Sequence, residues 1–138
     1  MNFSNYTEFK KSGLEYLLDA RFRREDATLD AAAGLFKMDC WIPSRDVPNG
    51  ASPGPKNSWT KVRWSLEKVA SNDIKVTEDV VFYEIGSVDY QAGSSLVVIQ
   101  GHYGITIKLR ASSFAGNIEF LDERKTHWDT GKTKSAKV

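Results

Sequence analysis

The spacing of apolar residues changes near Ala70, and this change constrains the fold more than any other feature of the chain. Before Ala70, apolar residues recur every three or four positions, as on one face of a helix. After it, they alternate with polar residues, as in half-buried strands. Helices followed by a run of antiparallel strands are typical of an α+β domain. The sequence therefore predicts long N-terminal helices packed in the concave face of a curved, mostly antiparallel sheet.

Three helices are predicted in the first half of the chain. The first spans residues 5–24, with Asn5 as its N-terminal cap. The second lies within residues 26–36 and leads into the strand-like segment "KMDCWI". The third covers "WTKVRWSLEKV", residues 59–69, where apolar residues again recur at helical spacing.

A long loop separates the second and third predicted helices. The segment from Pro43 to Asn57 holds all four prolines of the chain and has the composition of a loop. A structureless connection of this length is uncommon and is often a lid or a binding loop. With Trp41 and Trp59 near its ends, we expect it to be mobile or to act as a lid.

Length and charge limit the classes of protein that this chain can represent. It has 138 residues, which predicts one domain over residues 1–130 and a flexible basic tail over 131–138. Nineteen basic and eighteen acidic residues give a net charge of +1, which argues against a nucleic-acid binder. The single cysteine and two histidines predict neither a disulfide nor a metal site. No apolar stretch has the length of a signal peptide or a membrane span, so a cytoplasmic protein is expected.

Three local motifs resemble a known superfamily. They are "EDATLDAAAGLFKMDCWI", "GHYGITIKL" and "FAGNIEFLDE", and together with the order of elements they resemble the nuclear transport factor 2-like superfamily over about residues 5–129. That superfamily includes ketosteroid isomerase and the SnoaL-type polyketide cyclases. The resemblance implies a cone-shaped cup that holds a small apolar or aromatic ligand without a cofactor. It also implies a homodimer formed through the outer face of the sheet.

The resemblance does not carry the isomerase reaction to this chain. Where ketosteroid isomerase has its catalytic base, this sequence has Ser44, with Asp46 two residues further on. Neither matches the family's base, so the isomerase reaction is disfavoured.

Asp122 is the first candidate catalytic residue. Strand alternation places its carboxylate on the face of Ile118 and Phe120, which is expected to look into the cup. An apolar surround would raise the pKa of this carboxyl towards the range of a general acid or base. The alternative is that Asp122 lies at the rim and pairs with Arg124 or Lys125.

His102 is the second candidate, because a histidine is suited to proton transfer near neutral pH. If Tyr103 faces the core, alternation turns His102 towards solvent or a dimer contact. A bulge at Gly101 or Gly104 would reverse this orientation.

Aromatic and sulfur-containing side chains are predicted to line the cup. Tyr16 and Tyr103 could direct their hydroxyls towards a ligand, and Cys40 is more typical of a buried small hydrophobic residue than of a nucleophile. The full set of predicted ligand contacts is Tyr16, Cys40, Trp41, Tyr103 and Trp128.

Two classes of function are consistent with these predictions. In the first, the protein is a cofactor-independent isomerase, cyclase or dehydratase that uses general acid-base chemistry. In the second, it is a non-catalytic ligand-binding or interaction module. At least two ionisable groups should converge on the cup of an enzyme, whereas a purely binding or filled cup needs none.

Overall fold

The fold is a mostly antiparallel β-structure, and the predicted α+β architecture with long helices is wrong. The computed structural model describes residues 1–48 and 58–126. Two short helices within these residues are α1 (Tyr6–Ser12) and α2 (Leu14–Leu17). The strands of the same residues are β1 (Asn2–Phe3), β2 (Arg21–Phe22), β3 (Ala27–Asp30), β4 (Leu35–Pro43), β5 (Trp59–Leu66), β6 (Val69–Val76), β7 (Tyr83–Gln91), β8 (Leu96–Gly101), β9 (Ile105–Ala111) and β10 (Gly116–Lys125).

All strand pairings in the described part of the chain are antiparallel. The strand order is β1-β10-β5-β4-β2-β7-β8-β9-β6, and β3 pairs with β4 beside this path. Inward-facing residues of β4, β5, β8 and β9 belong to one hydrophobic cluster. The half of the sheet that contains β4 and β5 and the half that contains β8 and β9 therefore cover one shared core with their apolar faces.

The segment predicted as the third helix forms strand β5. Its buried residues alternate, and they are Thr60, Val62, Trp64 and Leu66. Val62 and Leu66 satisfy the helical spacing and the alternating spacing equally, so periodicity alone did not separate the two states. β-branched and aromatic residues suit a half-buried strand, and pairing with β4 and β10 on both sides decides the outcome.

The segment predicted as the second helix forms the hairpin of β3 and β4. Its small residues, "DAAAG", make the turn instead of a helix face. Asp30 accepts a hydrogen bond from the Ala33 backbone N–H at 3.1 Å. Gly34 has a φ of +66°, a conformation that glycine adopts without steric cost.

The first predicted helix is confirmed only at its start. Asn5 caps α1 by accepting from the backbone N–H of Glu8 at 2.9 Å. Beyond α2 the chain pairs with β7 instead of continuing as helix, because the Asp19 N–H donates to Ile85 O at 2.8 Å and Ala20 O accepts from the Ile85 N–H at 3.0 Å. Asp19 itself has a φ of +67°, which is outside the right-handed helical region.

The predicted strands after Ala70 are confirmed, as is the strand-like segment in β4. Met38, Cys40 and Ile42 are buried on one side of β4. Ile105 and Ile107 share the buried side of β9.

Only residues 43–48 of the predicted lid, Pro43–Asn57, lie within the described residues. In this part the Ser44 hydroxyl is 2.7 Å from the Thr60 hydroxyl, and the Ser58 hydroxyl donates to Ser44 Oγ at 2.6 Å. All three side chains are buried. The rest of the predicted lid, residues 49–57, lies outside the described residues.

Candidate functional site

Buried aromatic side chains pack together in the shared core next to α1. The rings of Phe9 and Phe114 lie 4.8 Å apart, and Phe9 stacks on Trp64 at 5.4 Å. All three residues are buried. This part of the core is therefore filled by side chains.

A surface groove beside α2 is the main candidate site. It has a volume of about 530 Å³ and lies where α2 meets the ends of strands β2, β4, β5 and β7. Its lining residues are Glu15, Tyr16, Leu18, Asp19, Arg21, Ile42, Pro43, Arg45, Asp46, Trp59 and Glu84. We call this set of residues the groove.

Two side-chain contacts of Arg21 with other described residues help to shape the groove. Its Nε lies 3.3 Å from Glu84 Oε2, and its Cζ lies 4.9 Å from the centroid of the Trp59 ring. Backbone pairing positions these groups, since Arg21 is opposite Glu84 on one side and opposite Trp41 on the other. The groove therefore holds a cation between a carboxylate and an indole ring.

The groove combines an acidic rim with an apolar wall. Among the described lining residues, four carboxylates and two guanidinium groups give an excess of two negative charges, although the whole chain carries +1. The apolar wall includes Leu18, whose exposed fraction of 39% is high for a large hydrophobic residue. Such a surface suits a ligand that has an apolar part and a polar part.

His102 lies at the edge of the groove and contacts one of its residues. It belongs to the turn between β8 and β9, so strand alternation does not set the direction of its side chain. Gly104, with a φ of +73°, allows this turn. His102 Nε2 lies 2.5 Å from Asp19 Oδ1, and these side chains are 45% and 78% exposed.

The other nitrogen of His102 faces the backbone. A Cβ atom built on Gly86 would lie 3.1 Å from His102 Nδ1, and the His102 backbone N–H donates to Glu84 O at 2.9 Å. The imidazole thus links the turn to the bend at Asp19. This arrangement suits a structural clamp better than a general base directed at a ligand.

Tyr103 lies in the same turn and does not line the groove. Its hydroxyl donates to Phe82 O at 2.8 Å. Burial raises the pKa of this phenol above its ordinary value of 10.0, the charge of Glu84 raises it further, and Arg21 opposes the shift. Tyr103 is therefore electrostatically coupled to the groove.

Asp122 lies outside the groove, in the rim position that the sequence left open as an alternative. The β10–β5 register shifts between Phe120 and Arg124, which interrupts the alternation on which the inward orientation depended. The Asp122 side chain is 86% exposed, and its Oδ1 accepts from Arg124 Nη1 at 3.2 Å. The apolar surround that was expected around this carboxylate is therefore absent.

The remaining predicted ligand contacts are dispersed. Tyr16 lines the groove and meets Phe120 edge-on at 5.3 Å. Cys40 is fully buried, and burial raises the pKa of its thiol well above the ordinary value. Trp41 lies in a separate cleft of about 130 Å³, and Trp128 lies outside the described residues.

The structure also shows groove residues that the sequence did not identify. Arg21 was predicted to lie in the first helix, and Glu84 in a strand without candidate site residues. Trp59 was predicted to begin the third helix, next to the loop. The sequence signal that could have indicated this site was the presence of aromatic and charged residues at the ends of strands. Whether these residues come into contact depends on the strand order.

The outer face of the sheet at β4 and β5 carries an ion pair. Asp39 accepts from Arg63 Nε at 2.8 Å and from Nη2 at 3.1 Å, and this bond raises the pKa of the Arg63 guanidinium. The buried apolar residues of these strands pack in the shared core. The homodimer through the outer face, which the resemblance implied, stays a prediction.

No protein-family model, curated protein or solved structure matched the chain. The resemblance to the nuclear transport factor 2-like superfamily therefore finds no support, and the fold that it implied is corrected above. Within residues 1–48 and 58–126, no three His, Cys, Asp or Glu side chains are grouped to hold a metal ion. In that same part of the chain, no helix has the length and hydropathy needed to cross a membrane.

Proposed function

We propose that this protein is a non-catalytic binding module and that the groove is its small-molecule site. The observation that carries the proposal is the Arg21 guanidinium held between Glu84 and Trp59 beside the exposed side chain of Leu18. Preformed polar groups next to apolar surface are the usual composition of ligand sites. The volume of about 530 Å³ also lies in the range of small-molecule pockets, roughly 300–1,000 Å³.

The two candidate acid-base residues favour binding over catalysis. Asp122 points to solvent and pairs with Arg124. His102 is engaged by Asp19 through Nε2 and lies against Gly86 through Nδ1. A proton-transfer site needs its acid and base within reach of one reacting group, and these residues do not share such a position.

NMR titration of the ¹⁵N-labelled chain tests this proposal. The probes are three related small aromatics, namely neutral phenylurea, cationic phenylguanidine and anionic benzoate. We expect at least one of them to shift the indole N–H of Trp59 and the amides of Arg21 and Glu84 in a saturable manner. If none of the three does so at millimolar concentration, the groove is not a small-molecule site.

Two tryptophan variants locate the binding. Trp59→Leu removes an aromatic side chain from the groove, whereas Trp41→Leu removes one from the separate cleft. Both indoles also stack against cations, so the two variants lose similar contacts. We expect Trp59→Leu to weaken binding by about tenfold or more and Trp41→Leu to change it less than about twofold. Equal losses in the two variants would place the site elsewhere.

A further inference from the structure

The protein's own Arg21 shows which chemical group the groove accommodates. Its guanidinium contacts a carboxylate oxygen at 3.3 Å and an indole ring at 4.9 Å. Carboxylates bind cations by charge and hydrogen bonding, and indole faces attract cations through the ring quadrupole. Glu84 and Trp59 thus form two sides of a cation site that an arginine side chain occupies.

The occupant is a long side chain on a very short strand. Strand β2 contains only Arg21 and Phe22, and Phe22 is fully buried while the Arg21 side chain is 27% exposed. The backbone of Arg21 is held between β4 and β7. The guanidinium can therefore turn away from Trp59 through side-chain rotation alone, without loss of strand pairing.

The remaining charges of the groove favour a cation over an anion. Among the described residues of the groove, Glu15, Asp19 and Asp46 add three carboxylates to that of Glu84, against the guanidinium groups of Arg21 and Arg45. An anionic ligand would meet this excess of negative charge, whereas a cationic ligand would reduce it. The apolar wall near Leu18 and Tyr16 then suits a hydrophobic body attached to the cation.

We infer that the groove binds a small organic cation, an amine or guanidinium carried on an apolar group, which takes the place of the Arg21 guanidinium between Glu84 and Trp59. This inference rests on the proposed function of the groove. Arg21 acts as a built-in competitor, because a ligand cation must displace its contacts. Removal of the Arg21 charge should therefore strengthen cation binding.

The decisive variant is Arg21→Met, which keeps the length of the apolar stem and removes the guanidinium. We expect it to bind phenylguanidine about tenfold more tightly than the unchanged protein. Affinity for phenylurea, a neutral molecule of nearly the same shape, should change less than about twofold. Arg45→Met is the control, since it removes the guanidinium of another groove residue, whereas the contacts with Glu84 and Trp59 described above are made by Arg21. The increase in phenylguanidine affinity caused by Arg45→Met must be clearly smaller than the increase caused by Arg21→Met.

The carboxylate partner is tested in the Arg21→Met background. Adding Glu84→Gln should lower phenylguanidine affinity by about tenfold. Asp122→Asn, which changes the net charge equally at an exposed site outside the groove, should lower it less than about twofold. Circular dichroism and the thermal midpoint confirm that each variant is folded.

The outcomes separate the two proposals. If phenylurea or benzoate binds the groove as tightly as phenylguanidine, the groove is a ligand site but the cation inference is wrong. If Arg21→Met gains no more than Arg45→Met, Arg21 is not a competitor and the inference fails. If none of the probes perturbs the groove in either protein, the proposed function fails as well.

Discussion

Substitution of Gly116 by alanine tests the observed sheet directly. Gly116 lies opposite Leu66 of β5 and Phe3 of β1, so it has a strand on each side. A Cβ atom at this position would lie 1.9 Å from the Ser65 carbonyl oxygen and 2.9 Å from the Ser65 carbonyl carbon. Both neighbours are backbone atoms, so the conflict cannot be relieved by a rotamer change. At least one strand must move by more than about 1 Å to restore van der Waals contact.

The expected cost follows from this geometry. Overpacking a well-filled interior costs about 1–3 kcal/mol, and displacement of a paired backbone adds lost ladder hydrogen bonds at about 1 kcal/mol each. We therefore expect Gly116→Ala to lower the free energy of unfolding by about 3 kcal/mol or more. For a chain of 138 residues, this corresponds to a fall in Tm of roughly 10 °C.

Urea unfolding followed by circular dichroism measures the change, with Gly93→Ala as control. A Cβ atom on Gly93 would meet no atom within 4 Å, so that variant should stay within about 0.5 kcal/mol of the unchanged protein. If Gly116→Ala were as stable as Gly93→Ala, β10 would not lie against Ser65. The assignment of residues 59–66 to a strand would then be refuted.

Two further predictions concern titratable groups. The thiol of Cys40 is fully buried and its pKa is raised. The native protein should therefore not react with Ellman's reagent at pH 8, whereas the denatured protein should react with one equivalent. Rapid reaction of the native protein would contradict the buried position. Burial and the charge of Glu84 raise the pKa of the Tyr103 phenol above 10.0. Because the folded state then holds this proton more tightly than the unfolded state does, the free energy of unfolding should fall as the pH rises above 10. Absorbance titration at about 295 nm should show that Glu84→Gln lowers the pKa of Tyr103; an unchanged or raised value would rule out this coupling.

The spacing of apolar residues within a segment predicted its structure correctly where only one kind of secondary structure fitted that spacing. Segments after Ala70 with clear alternation, such as residues 105–111, form strands. Met38, Cys40 and Ile42 alternate in the same way and are buried together. The Asn5 cap of α1 was also readable, because capping depends on neighbours a few residues away. These features are local, so the sequence carries them directly.

The helical predictions failed where an apolar pattern satisfied two periods. In residues 59–66, Val62 and Leu66 fit a helix face, but Thr60 and Trp64 complete an alternating set. Isolated helices of this length are marginal in water, and two antiparallel partners satisfy the backbone of β5 on both sides. Contacts with residues far along the chain therefore decided the state of this segment.

The candidate site depended still more on the tertiary structure. Tyr16 was identified from the sequence, but its neighbours in the groove include Trp59 and Glu84, which are distant along the chain. The sequence left two positions open for Asp122, because a register shift cannot be read from alternation. Side-chain type and local spacing are properties of the sequence. The contact of a guanidinium with an indole and a carboxylate requires in addition the strand order β5-β4-β2-β7. Long-range backbone pairing and burial of one shared core establish that order.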